Sequence, residues 1–376
     1  MHPTSTRPPR GPDRTRTGYR QRRANRTLLT ALACLAALGC LVSLAITKLH
    51  QSSPGPTSIS WPAASPSGTA APAAGSAASS QPQLGAVAWP AAGTSAADIT
   101  GYGVAEGPGA TRPVPIASVA KLMTAYVILH DHPLSPGAPG PDITVAPSEA
   151  AGYSAQVADG DSLVAVAAGE TITERQALEA LLLPSADNIA WVLARWDAGS
   201  QGAFTAKMNA TARSLGMAST SYTDASGLDP ATTSTAADQV RLGMTAMSLP
   251  VLAAVAAMPA AVVPVAGVIR STNTLLGQDG IVGLKTGSTQ ASGGCLLVAA
   301  WAEVNGHDTL LVAAAFGQPG TAGTILPNAL QAGHDLVLAL ETALGAGAHP
   351  GSRDDPGGSP HGPPLSRANG RRSDPQ

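Results

Sequence analysis

From Thr27 to Thr47 the chain reads TLLTALACLAALGCLVSLAIT, 21 residues without a charge. A helix of that length spans the hydrocarbon core of a bilayer. Before it, residues 1–26 hold eight arginines and one acid, which cannot close a core. After it, residues 48–84 are mostly Ser, Pro, Ala and Gly, and residues 348–376 are Gly, Pro, Ser and charge. These read as linker and tail. The sequence therefore predicts five parts: a disordered basic arm (1–26), a transmembrane helix or signal anchor (27–47), a disordered linker (48–84), one folded domain (85–347) and a disordered tail (348–376). The folded part is long enough to bury a sizeable core.

Arginines precede the apolar run and none follows closely, so the N-terminus stays inside and the domain lies outside the membrane. A cleaved signal peptide is the rival reading, but its apolar region is shorter and ends in a small-residue site. Leu-Gly-Cys before Leu41 weakly resembles a lipoprotein cleavage site, yet the run continues past Cys40. The net charge is −2 and the arginine excess sits in the N-terminal arm, which argues against a nucleic-acid partner. Cys34, Cys40 and Cys295 form no disulfide framework and no metal spacing. No cofactor or metal is expected.

Within the folded part, alternation places short strands near 84–90 and 98–105. A helix follows from Ser118. GETITERQALEALLLPSADNIAWVLARW reads as two helices broken at Pro184. GAFTAKMNATARSLGM and TSTAADQVRLGMTAMS are further helices. GIVGLKTGST, GGCLLVAAWAEV and DTLLVAAAFG are β-rich, the last two joined at Asn305-Gly306, and a closing amphipathic helix follows. Strands at both ends with helices between them predict an α/β (α+β) fold: one antiparallel sheet flanked by helices, beside a helical subdomain.

Three short motifs carry chemistry. In Ser118-Val119-Ala120-Lys121, helical spacing puts the hydroxyl and the amine on one face. A serine is a weak nucleophile unless a base takes its proton. A lysine can do so only if burial or a second cation lowers its pKa. Lys285-Thr286-Gly287 at a strand edge supplies that second cation. Thr286 and Ser288 can donate to a carboxylate, and Gly287 clears space where a ligand lies along the strand. Ser185-Ala186-Asp187 falls in the helix break; Ser185 can relay a proton, or Ser185 or Asp187 simply caps the next helix. Only four lysines are present, and two of them occupy these motifs. His130 and His132 precede a Pro/Gly loop and are expected to be solvated. No His/Asp pair and no G-x-S-x-G marks another hydrolase site.

Serine-x-x-lysine, a serine–asparagine element and lysine-threonine-glycine, in that order, form the signature of penicillin-binding proteins and class A β-lactamases. The chain resembles the D-alanyl-D-alanine carboxypeptidases among the low-molecular-mass penicillin-binding proteins. IASVAKLMTAYVIL, GETITERQALEALLLPSADNIAWVLA, TDASGLDPATTSTAADQVRLG and NTLLGQDGIVGLKTGSTQASGGCLLVAA carry the likeness, which runs from about Ala88 to Leu344. It implies the serine β-lactamase/transpeptidase-like fold. It makes Ser118 the acylated nucleophile, Lys121 its base, and Ser185 with Lys285 a proton relay and electrostatic clamp. Thr286 and Ser288 become carboxylate ligands, and the Ser118 and Ser288 amides the oxyanion hole. The implied substrates are peptidoglycan stem peptides that lose their terminal D-alanine, and the implied inhibitors are β-lactams.

The sequence departs from the family at Asp187, where the pattern has asparagine. An ionised aspartate only accepts hydrogen bonds, and it favours a protonated Lys121. Asn188 cannot substitute without a register shift. A class A β-lactamase needs a deacylating glutamate between its second and third motifs, and none stands between Asn188 and Lys285. The remaining alternative is a weakly active or inactive penicillin-binding-fold protein that binds peptidoglycan.

Overall fold

The computed structural model describes residues 84–345. The basic arm, the apolar run 27–47, the linker up to residue 83 and the tail lie outside those residues.

The chain opens with a hairpin, β1 (Thr94–Ile99) and β2 (Gly103–Glu106). A two-residue strand β3 (Val114–Pro115) leads into a 3₁₀ turn, Ala117–Ala120, and helix α1 (Lys121–Asp131). The helical section then runs through β4 (Asp142–Thr144), α2 (Pro147–Ala151), α3 (Tyr153–Asp159) and β5 (Thr171–Thr173). It continues with α4 (Glu174–Leu182), α5 (Asp187–Ala198), α6 (Gln201–Ser214) and β6 (Thr233–Ser234). Helices α7 (Ala236–Met247) and α8 (Pro250–Ala256) and a small hairpin, β7 (Ala260–Val263) with β8 (Gly267–Arg270), close it. Three long strands and a helix finish the fold: β9 (Ile281–Thr289), β10 (Gly293–Val304), β11 (His307–Gln318) and α9 (Ile325–Leu344).

The main sheet is antiparallel, ordered β2-β1-β11-β10-β9. Both ends of the described chain feed it, as the sequence predicts. Its alternation of faces is clean. Leu297, Ala299, Val312, Ala314 and Phe316 pack with the helical section, whereas Leu296, Val298, Ala300, Leu311 and Ala313 pack with Leu336, Val337 and Leu340 of α9. Burial on both faces explains why β10 and β11 read as continuous apolar runs. Gly243 lets α7 lie against Val312 and Leu284; a Cβ there would sit 2.6 Å from the Val312 side chain. The β10–β11 connection is the expected Asn-Gly turn, with Asn305 at φ 52° and Gly306 at φ 79°.

Several expectations need correction. The stretch 84–90 is not a strand: it runs along α9, with the Gly85 amide bonded to the Ala343 carbonyl at 3.1 Å. Alternation marks a segment able to pair, but only Thr94–Ile99 reaches the β11 edge. The expected strand 98–105 is instead the end of β1, a turn and the start of β2, bent where Gly101 and Gly103 hold positive φ. His132 is only partly solvated: its side chain is 34% exposed, its ring lies 4.0 Å from that of Trp196, tilted by 34°, and it pairs with Asp197 at 3.0 Å. The hairpin β7–β8 was not foreseen, because Pro264 inside an apolar run argues against a strand. Among the described residues no single helix is long and apolar enough to cross a membrane.

Helix α4 begins with a reciprocal cap: Gln176 donates its amide to Thr173 Oγ1 and accepts from the Thr173 amide. Its first residue, Glu174, lies buried under the loop before β4, which is tied down by Glu174 N–H to the Pro141 carbonyl and Arg175 N–H to the Pro139 carbonyl. Neither carboxylate oxygen has a hydrogen-bond partner among the described residues. Burial raises this acid from its ordinary 4.5 to about 7. A carboxyl whose folded pKa is raised contributes stability below its unfolded pKa and loses it as pH rises through the folded one. The loss therefore falls between pH about 4.5 and 7. Glu174→Gln cannot ionise, so its melting temperature relative to wild type is expected to climb from pH 5 to pH 8. A pH-independent difference across thermal melts in that range would show that the acid is not titrating in the fold.

Candidate active site

The 3₁₀ turn sets the first pair of groups. In such a turn side chains three apart eclipse one another. Ser118 and Lys121 therefore stack, and Lys121 Nζ lies 2.7 Å from Ser118 Oγ. This corrects the expectation of an α-helix from Ser118: the helix starts at Lys121. Lys121 is fully buried, and its amine also reaches Asp187 Oδ1 at 2.7 Å and the Ser226 carbonyl at 3.0 Å.

The second group of residues occupies the break between α4 and α5. Pro184 cannot continue α4, and Ser185 turns into the left-handed region at φ 67°. Backbone conformations of this kind persist only where surrounding contacts enforce them. Here Lys285 Nζ donates to Ser185 Oγ at 2.9 Å. Asp187 is the first residue of α5 and not a side-chain cap. Its Oδ2 accepts from the Ser162 amide at 3.0 Å, while its own amide donates to the Ser162 carbonyl at 2.7 Å. Asn188 points elsewhere: its side chain pairs with both backbone groups of Val164. The aspartate, not the asparagine, therefore stands in the site.

Strand β9 brings the third. Lys285 is 1% exposed and also donates to the Thr286 carbonyl at 2.9 Å. Thr286 is buried, its hydroxyl 2.6 Å from that of Thr272, while Ser288 is exposed. Gly287 has a structural reason beside the one expected from the sequence. A Cβ there would lie 2.9 Å from the Ser118 amide nitrogen and 3.1 Å from the Ile116 carbonyl. The missing side chain thus lets β9 pass directly against the backbone that carries Ser118. All eight residues singled out in the sequence belong to this one region: Ser118 and Lys121, Ser185 and Asp187, and Lys285 through Ser288.

Sequence reasoning missed the floor of the site. The Ser226 carbonyl is held by a loop folded around Asp224, which accepts from the Ser226, Gly227 and Leu228 amides and from the Ser226 and Thr232 hydroxyls. Thr124 on α1 pins this loop through the Ala225 carbonyl at 2.6 Å. The Asp-Ala-Ser-Gly run was the signal available: an aspartate followed by Ser and Gly makes a turn of this kind.

Electrostatics follow from burial. Desolvation lowers the Lys121 pKa, against the pull of Asp187, Asp224 and Asp161. Lys285 falls well below its ordinary value, through burial and then the nearby Lys121 cation, with Asp187 opposing. Cys295, behind Gly287 on β10, is no rival nucleophile, since burial pushes its thiol up to about 11. Among the described residues no group of three or more side chains could hold a metal ion.

A serine bonded to a buried amine, with a second buried amine alongside, is equipped for acyl transfer. Comparison with known proteins agrees. The family model described as D-alanyl-D-alanine carboxypeptidase (peptidase S11) matches residues 103–315, more than half of the chain. The D-alanyl-D-alanine carboxypeptidase DacB2 of Mycobacterium tuberculosis is 39% identical over 136 residues, covering 34% of this chain and 46% of that protein. A D-alanyl-D-alanine endopeptidase of Pseudomonas aeruginosa is 33% identical over 192 residues, covering 49% and 59%. The chain thus spans about half the length of these curated relatives. The crystal structure of the Streptomyces K15 DD-transpeptidase superposes with a TM-score of 0.57 at 23% identity, covering 70% of this chain and 99% of that one, which shows the same fold. The chain belongs to the peptidase S11 family of D-alanyl-D-alanine carboxypeptidases.

Proposed function

We propose that this chain is a serine-type D-Ala-D-Ala carboxypeptidase that removes the terminal D-alanine from peptidoglycan stem peptides and is inhibited by β-lactams. The observation that carries the reading is Ser118 Oγ at 2.7 Å from the buried Lys121 amine, with Lys285 bonded to Ser185 beside it. Ser118 attacks the carbonyl of the penultimate D-alanine and loses its proton to a buried amine. The Ser118 and Ser288 amides hold the oxyanion, and Thr286 and Ser288 hold the terminal carboxylate. D-Alanine leaves with a returned proton, and water hydrolyses the ester.

An endopeptidase reading is favoured by the relative of that name at 33% identity. One assay separates the two. The full-length chain is incubated with a pentapeptide muropeptide and, separately, with a cross-linked muropeptide dimer. Free D-alanine from the pentapeptide, released faster than the dimer is cleaved, is the expected result. Dimer cleavage without D-alanine release would replace the carboxypeptidase reading. Neither reaction, with no penicillin adduct, would leave a peptidoglycan-binding protein of this fold. We also propose that residues 27–47 anchor the chain in the cell membrane with the catalytic domain outside, on the strength of their uncharged length.

A further inference from the structure

Two lysines are buried side by side here, yet one carboxylate touches only one of them. Lys121 Nζ and Asp187 Oδ1 lie 2.7 Å apart, with side-chain exposures of 0% and 4%. Lys285 Nζ is bonded to neutral oxygens, the Ser185 hydroxyl and the Thr286 carbonyl. A buried charge is tolerated when an opposite charge pairs with it, and otherwise the group neutralises. One anion in contact can retain one cation. The amine in contact with it keeps its proton, and the other gives its proton up.

We propose that Asp187 holds Lys121 as the resident ammonium of the site, so that Lys285, acting through Ser185, is the amine that takes the Ser118 proton. The proposal rests on Ser118 being the acylated residue. It reverses the role that the family resemblance implies for Lys121, and its cause is the aspartate standing where the family pattern has asparagine. As the Ser118 oxygen bonds to the substrate carbonyl carbon, its O–H bond breaks. With substrate bound and Ser185 Oγ brought within hydrogen-bond reach of Ser118 Oγ, the proton passes to the Ser185 oxygen while the Ser185 proton passes to Lys285 Nζ, 2.9 Å away. When the scissile C–N bond breaks, Ser185 gives its proton to the departing D-alanine nitrogen and takes one back from the Lys285 ammonium. No other acid or base is consumed. Lys121 stays charged throughout and steadies the negative charge that develops on Ser118.

The surroundings of both amines agree with this division. Lys121 is faced by Asp187 on α5, by Asp224 on the loop after α6 and by Asp161 on the loop after α3, all favouring its cation, and by Lys285 on β9. Lys285 is faced by the Lys121 cation, which opposes its charge, and by Asp187. Lys121 has an acceptor for each of the three N–H bonds of an ammonium. Lys285 has two oxygens in reach: the Thr286 carbonyl can take one N–H bond of an amine, and the Ser185 hydroxyl, 2.9 Å away, can donate to its lone pair. A neutral Lys121 receiving the Ser118 proton would satisfy the same distances, but it would leave the Asp187 carboxylate buried without a counter-charge.

Only four lysines are present, so the test can be direct. The full-length chain is labelled with 15N at lysine Nζ, and the signals are assigned with Lys48→Arg, Lys207→Arg and Lys285→Arg. The nitrogen shift distinguishes ammonium from amine. At pH 7 Lys121 is expected as ammonium and Lys285 as amine. The rate of acylation by penicillin, followed against pH, is expected to rise with the Lys285 titration and not with that of Lys121. Asp187→Asn should move the Lys121 midpoint to lower pH by one unit or more. A Lys121 amine at pH 7 beside a Lys285 ammonium would overturn the proposal. So would a rate that tracks Lys121, or a Lys121 midpoint unmoved in Asp187→Asn. If penicillin fails to acylate the wild type, the carboxypeptidase reading falls, and the lysine spectrum still decides the protonation assignment.

Discussion

Ser118→Ala is expected to abolish both the covalent penicillin adduct and D-alanine release, by on the order of 10⁴-fold or more. Removal of the nucleophile from a group of residues that act as a unit costs nearly the whole chemical acceleration, because no neighbour can replace the covalent bond. Cys295 is buried with its thiol pushed up to about 11, and Ser185 is tied to Lys285, so neither offers a substitute. The fold should survive. Ser118 is half-buried, and the change deletes one of three acceptors around Lys121, a loss of about 0.5–1.5 kcal/mol. Intact-mass spectrometry after penicillin treatment, paired with a thermal melt, checks both halves. An adduct of equal mass and yield on Ser118→Ala would remove Ser118 from the chemistry.

What could be read from the sequence divides along physical lines. Ser118 and Lys121 were legible because their contact is local: three residues of spacing on a helical turn fix it without knowledge of the rest of the chain. The sheet was legible because β10 and β11 are buried on both faces and carry an Asn-Gly turn between them. Their register against β1 and β9 was not, since pairing depends on which edge is free. The place of β1 beside β11 follows from contacts made more than 200 residues apart in sequence, such as Ala97 with Ala313.

The floor of the site was hidden for a different reason. Ser226 contributes a backbone carbonyl and Ser162 a backbone amide, groups that every residue carries and that no motif records. Asp187 shows both sides of the limit. Its identity raised the question of a misplaced charge, but only the structure shows the carboxylate shared between Lys121 and the Ser162 amide. The helix-cap reading of Ser185 and Asp187 was reasonable for a Ser-x-Asp after a proline. It fails because Ser185 turns into left-handed backbone and directs its hydroxyl to Lys285. Propensity describes a segment alone, and tertiary contacts decided this one.

Gly287→Val is the second change expected to have a large effect, and it acts without touching any ionisable group. The strand β9 runs against the 3₁₀ turn at this residue, where a Cβ would meet the Ser118 amide nitrogen at 2.9 Å, and the Ile116 carbonyl and Val119 amide at 3.1 Å each. All three atoms are backbone, so no side chain can swing aside, and β9 or the turn must retreat. Gly227 leaves the turn little freedom to do so, because a Cβ at that residue would overlap the Ala117 carbonyl from the opposite loop. Forcing a branched side chain into such a contact costs about 1–3 kcal/mol. The cost to chemistry is larger. A displacement of about 1 Å between Ser118 and the strand carrying Lys285 and Ser288 is enough to lose about 10²-fold in rate. The expected result is a variant that still melts cooperatively at a lower temperature but is acylated by penicillin at least about 10²-fold more slowly. Gly287→Ala should fall between it and wild type. If Gly287→Val is acylated at the wild-type rate, β9 does not set the position of Ser118, and the close approach is packing without consequence for the site.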